Sequence, residues 1–407
     1  MDITRLQNYA RLIVKSGINP SPGQAVVITA GLEQPEFTRM VVHECYQAGA
    51  GEVVVNFSDM TIDKYAQLYQ SEELLSHLAP WEKARWQWIS EKFPARIWLD
   101  SDDPDGMDGV DQEKYSRTFS SRVKEIKPMR DVIENRHQWC IAAVPGTAWA
   151  KKVFPELSAD EAVEKLWDAI LSASRANGDA IANWQEHNRI IHSRCAVLNN
   201  LRFKTLHCKS SNGTDFTIGF MKEGIFCGAA ETDLSGRVFN PNIPSEEVFT
   251  TPKRGEAEGL LVSTKPLSWQ GTLIEDFSIR FSGGKAVEVK AAKGQTALEK
   301  MISVDENAAF IGEFALIGKN SPINRSGILF YNTLFDENAS CHVALGRGFD
   351  NCVENYSRYT REELKALGVN DSVIHVDFMI GTDDMEITGT TWDCRQIKVF
   401  TNGEWSI

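Results

Sequence analysis

The feature that most restricts what this chain can fold into is an alternation running up to Val144, in which short β-branched runs are separated by stretches with the helical period. Ala25-Val26-Val27-Ile28-Thr29, Glu52 to Phe57, Ala95 to Leu99 and Cys140 to Val144 read as strands. Ahead of them, Ile3, Leu6, Tyr9, Ala10, Ile13 and Val14 share one face of a helix over residues 2–16, expected to end at Gly17; a second helix, 35–48, is expected to stop at Gly49. Strands joined through helices cannot pair as tight hairpins, so the pattern predicts an α/β domain with a mainly parallel sheet.

Residues 146–200 read as helical throughout, and from about 201 the character turns to β. Asp215 to Phe220, Leu273 to Phe281 and Ala286 to Lys290 are strand candidates punctuated by glycine turns, with helices only at 295–303 and 361–367. The expected organisation is an N-terminal α/β domain, residues 1–200, and a β-rich α+β C-terminal domain, residues 201–407. A chain of 407 residues is also longer than one ordinary core accommodates.

Bulk properties exclude several functions. The net charge of -13, with no long run of like charges, argues against nucleic acid as a partner. No apolar run approaches the ~20 residues of a membrane-spanning helix, and the N-terminus, with Asp2 and Arg5, does not read as a signal peptide. The eight cysteines are scattered without CxxC spacing, which suits core thiols in a reducing cytoplasm. The first strand is followed by Gly31-Leu32-Glu33 rather than a GxGxxG, and neither GxSxG nor HExxH occurs. Trp81, Trp86, Trp88 and Trp98 read as helix faces packing on the sheet rather than as a docking surface.

Potential metal ligands concentrate in the second half, each embedded in an apolar, strand-like run: Glu246-Glu247-Val248, Gly312-Glu313-Phe314, His342-Val343-Ala344 and His375-Val376-Asp377. His375 and Asp377 are two apart and project from one strand face, where they could share an ion; a core histidine bonded to its neighbour explains that pair equally well. Glu246 and Glu247 point to opposite sides, so only one can face a site. His187 and His192 are poorly aligned for one ion.

These segments carry a resemblance. N-I-P-S-E-E-V-F-T-T-P at 242–252, L-S-W-Q-G at 267–271, G-E-F-A-L at 312–316, N-T-L-F-D-E-N-A-S-C-H-V-A-L-G at 332–346 and H-V-D-F-M-I-G at 375–381 resemble the aminopeptidase S/T (thermophilic aminopeptidase) family. K-P-M-R at 127–130 and W-A-K-K-V-F-P at 149–155 extend the likeness more loosely through the first half. The resemblance implies a metal-dependent removal of N-terminal amino acids from short peptides, and a homodimer. It implies two divalent ions held by Glu247, Glu313, His342, His375 and Asp377, with Glu313 as the bridging and catalytic carboxylate. Such a mixed nitrogen and oxygen set suits zinc above all, with cobalt or manganese as alternatives.

In one place the chain departs from the family pattern. Seven residues after His342 the family has a tyrosine thought to assist catalysis, and here Phe349 stands. Phenylalanine can neither donate to an oxyanion nor relay a proton. The metals with Glu313 or Glu246 could suffice, Tyr331 or Tyr356 could fill the gap, or the chain could bind metal and peptide with little turnover. A non-haem iron dioxygenase is the rival chemistry, since His342, His375 and Asp377 alone form a two-histidine, one-carboxylate set. Glu247 and Glu313 argue against it.

Overall fold

A computed structural model describes residues 2–270 and 272–407. The chain divides into two compact units, the first running to Glu186 with Ala230–Ser245 and Leu329–Leu334 added, the second comprising His187–Ala229, Glu246–Ile328 and Phe335–Ile407.

The first unit is the α/β part. Its sheet runs in the order Asn242–Ile243, Trp139–Ala143, Ala95–Asp100, Ala25–Gly31, Glu52–Ser58, with every pairing parallel. Helices Pro35–Gln47, Pro80–Lys92 and Gln112–Ile133 make the crossovers that parallel pairing requires. Val26, Ile28, Ile97, Cys140 and Ala142 are fully buried, as expected of strands covered on both faces.

Gly17 does not end the first helix. The helical path continues to Ile18 and stops where Asn19 turns left-handed at φ 39°. Glycine is required at 17 for another reason: a Cβ there would sit 2.8 Å from Cys140 Sγ. The stretch 146–200, read as helical throughout, is three helices separated by two breaks. Thr147–Val153 ends before Pro155, and Ser158 with Glu161 forms a capping box that starts Ala159–Ala173. That helix ends at Ser174, and Ala180–Leu201 follows.

The second unit is antiparallel and β-rich. A nine-stranded sheet faces a five-stranded one ordered His375–Met379, His342–Gly346, Ile311–Leu316, Val248–Thr250, Cys227–Gly228. Val248, Phe314, Leu316, Val343, Leu345 and Phe378 on one face of the smaller sheet join Phe216, Ile218, Leu261, Phe281 and Phe400 in a single core. Each such side chain contributes about 1.5–3 kcal/mol by leaving water. Their burial also fixes the register, because a one-residue slip would turn every one of them outward. What the opposite face carries therefore follows from this packing. Among the described residues no helix is long and apolar enough to cross a membrane.

Candidate metal centre

Cross-strand register places the polar residues together. Ala315 pairs with His342, which pairs with Met379; Glu313 pairs with Ala344, which pairs with Asp377; Gly346 pairs with His375. On the next strand Phe249 pairs with Ala315, so Glu247, two residues earlier, points the same way. Glu247, Glu313, His342, His375 and Asp377 thus share the face opposite the core. Ala315, Ala344 and Gly346, which lie among them in the register, have small side chains or none. All five predicted residues are brought together; next to them, Glu246 donates its backbone N–H to Asn338 Oδ1 at 2.7 Å.

The donor atoms form two groups, Glu247–Glu313–His342 and Glu313–His375–Asp377, each with its ligand atoms within 4.8 Å of one another. His342 Nε2 lies 3.4 Å from Glu247 Oε2 and 3.9 Å from Glu313 Oε1. His375 Nε2 lies 3.1 Å from Glu313 Oε2 and 3.5 Å from Asp377 Oδ1. The two oxygens of Glu313 therefore face different imidazoles.

The histidine tautomers are set from behind. His342 Nδ1 lies 2.9 Å from the carbonyl of Glu337, and His375 Nδ1 lies 2.7 Å from the carbonyl of Arg347. A carbonyl accepts only, so each Nδ1 carries a proton and each Nε2 is turned toward the carboxylates, where it can ligate a metal ion. Gly312 makes the second contact possible: a Cβ there would meet the Arg347 carbonyl oxygen at 2.2 Å.

Ring nitrogens and carboxylate oxygens converging this closely call for a metal ion or a proton between them. The site's electrostatics say the same. Burial works to lower the pKa of His375, but Asp377 and Glu313 outweigh it and raise it well above the ordinary imidazole value. Burial likewise opposes ionisation of Asp377, yet His375 and His342 hold its pKa below the usual range. Asp377 Oδ1 is nevertheless buried without a hydrogen-bond partner. An orphaned carboxylate oxygen beside two imidazole Nε2 atoms fits a divalent ion.

One acidic residue went unnoticed in the sequence. Glu337, in the short 3₁₀ turn Glu337–Ala339 before the strand of His342, has its pKa pushed well above the carboxylate range by burial and then by Asp377, Glu247 and Glu313. The same three carboxylates, Glu247, Glu313 and Asp377, are the ones that form the donor groups with the two imidazoles. Its only signal was an acidic residue within the otherwise buried stretch from Leu334 to Ser340.

Phe349 occupies the position expected of it, beside the site. Its ring centroid is 5.0 Å from that of His375 and 5.3 Å from that of Phe249. Thr251 Oγ1 accepts its backbone N–H at 2.7 Å and donates to its carbonyl at 3.2 Å. Tyr356 packs with Met221, Val353 and Leu364 in a separate cluster. Tyr331 belongs to the first unit, where Lys152 Nζ lies 5.3 Å from its ring centroid.

Comparison with known proteins gives consistent results. The sequence profile of the thermophilic metalloprotease family (M29) matches residues 3–405. Aminopeptidase PepS of Streptococcus thermophilus is 39% identical over 405 residues, covering 99% of this chain and 98% of that one. The structure of wild-type AmpT from Thermus thermophilus superposes with a TM-score of 0.90 at 34% identity, covering 99% of both chains. A 2,5-dihydroxypyridine dioxygenase from Pseudomonas putida KT2440 gives a TM-score of 0.53 at 11% identity, covering 99% of this chain and 96% of that one, a likeness of fold alone.

Proposed function

The chain belongs to the thermophilic metalloprotease family M29 and is a metallo-aminopeptidase, and from that premise we propose that it removes N-terminal residues from short peptides with two divalent ions held by Glu247, Glu313, His342, His375 and Asp377. The observation that carries the two-ion reading is that both donor groups contain Glu313. A carboxylate with one oxygen toward each imidazole is what a bridging ligand needs. Zinc suits the donors best, with cobalt or manganese as alternatives.

Bound there, the pair of ions would polarise the scissile carbonyl and bring the pKa of a water molecule toward neutrality. The protein's own groups do the rest. The carbonyls of Glu337 and Arg347 fix both imidazoles in the ligating tautomer. Ala315, Ala344 and Gly346 put no bulky side chain between the ligands. Phe349 packs against one side of the His375 ring and is itself backed by Phe249. Acidic side chains beside the ions would receive a substrate's α-ammonium group, which supports restriction to the first peptide bond.

Release of free amino acids from a peptide panel tests the reading. The purified protein is expected to release the N-terminal residue, to leave N-acetylated peptides intact, and to lose activity to a chelator. Cleavage of N-acetylated peptides at an equal rate would overturn it. The homodimer and the cytoplasmic location implied by the resemblance belong to the same proposal; light scattering reads the first.

A further inference from the structure

A second group of charged side chains gathers in the second unit, among residues that the metal centre does not use. A cavity of about 250 Å³ is lined by Lys265, Lys319 and Asp383 together with the apolar Ile317, Met385 and Phe400, and by none of the five predicted ligands. It is smaller than the roughly 300–1,000 Å³ of sites for drug-sized ligands, so it admits a compact molecule rather than a peptide or a nucleotide.

The charges on its wall are loosely engaged. Only 20% of the Lys265 side chain is exposed, and its acidic neighbour, Asp336 Oδ1, lies 3.7 Å away, beyond hydrogen-bond distance. Lys319 Nζ donates to the backbone carbonyl of Asp383 at 3.2 Å, and an ammonium has two further N–H groups to give. Asp383 itself is exposed, and among the described residues its carboxylate has neither a hydrogen-bond donor nor an ion-pair partner.

This combination narrows the occupant. A simple anion would satisfy the lysines but set like charge beside Asp383, and a simple cation would meet two ammonium groups. With Asp336 included, the charges around the cavity sum to zero, so the complementary ligand carries both signs and no net charge. The rest of it faces Ile317, Met385 and Phe400, which calls for an aliphatic body. We propose that this cavity is a binding site for a free apolar α-amino acid, with the carboxylate on Lys265 and Lys319, the ammonium on Asp383 and the side chain on the apolar lining. The cavity's own chemistry carries this assignment, which stands or falls independently of the metal centre. Such a molecule is also the product of the proposed reaction.

The test is calorimetry of L-leucine with the full-length, metal-loaded protein beside its Lys265→Met, Lys319→Met double variant. The natural chain is expected to bind one equivalent more than that variant, whatever the metal centre takes, and the double arginine variant should keep the extra equivalent. At this site L-leucinol, which lacks the carboxylate, and N-acetyl-leucine, which lacks the ammonium, should each bind about tenfold more weakly than leucine, since each forfeits charge-assisted hydrogen bonds. Asp383→Asn should weaken leucine to a similar degree while leaving N-acetyl-leucine unaffected. Equal leucine stoichiometry in the natural and methionine proteins would overturn the inference. So would acetate binding as tightly as leucine, which would make the cavity a plain anion site.

Discussion

Replacing Phe349 by tyrosine is the perturbation whose size can be worked out most fully. The ring lies against His375 at 5.0 Å between centroids and is held by two hydrogen bonds between Thr251 and its backbone, so a phenol enters beside the ligands without moving the chain. Loss of one oxyanion donor costs about 10²–10³ in rate where it has been measured, or roughly 3–4 kcal/mol of barrier. Phe349→Tyr should therefore raise kcat at least about tenfold, toward that ceiling. KM should stay within about twofold, because the bond forms in the transition state. Phe349 is half-buried, so stability should change by about 0.5 kcal/mol or less. The assay is hydrolysis of leucine and arginine anilides by both proteins at equal metal content, with thermal melts alongside. Unchanged kcat/KM at equal loading would refute the reasoning. A silent wild type with a clearly active variant would identify the natural chain as a binder of metal and peptide rather than an efficient enzyme.

The remaining predictions concern the floor of the site and its protons. Ala344 is fully buried with Glu313 and Asp377 as its lateral partners, so Ala344→Leu should fill the space above the sheet. It should abolish metal uptake at a folding cost of about 1–3 kcal/mol, read by metal analysis and urea unfolding; retained uptake would contradict the open-floor argument. In the chelated protein, His375 has a folded pKa raised above its unfolded one, so its contribution is present below about pH 6.5 and lost as pH rises through the raised value. Raised Glu337 acts in the same direction. Thermal melts from roughly pH 6 to 9 should thus show the chelated protein weakening while the zinc-loaded one holds, with protons released on zinc binding. Parallel melting curves would count against this.

Much of the fold was legible because hydrophobic periodicity reports burial directly. The strand Asp215–Phe220 and the helix Arg361–Leu367 fall where alternation and helical spacing predict them. Helix ends were harder. Gly17 looked like a stop but serves close packing against Cys140, a partner more than a hundred residues away. The break at Pro155 was masked by helical composition on both sides. The same limit governs the site. His375 and Asp377 could be placed on one face by local period, whereas their proximity to Glu247 and Glu313 depends on strand register across a sheet assembled from distant segments. Glu337 lies in a 3₁₀ turn, which has no period to betray which way a side chain points.

Metal content per chain, measured together with its response to Glu313→Gln and Glu247→Gln, bears most directly on the shared-carboxylate site. Two divalent ions in the natural protein, near-complete loss of both with Glu313→Gln and retention of one with Glu247→Gln are the expected values. A single ion in the natural chain, or two that survive the change at Glu313, would contradict it.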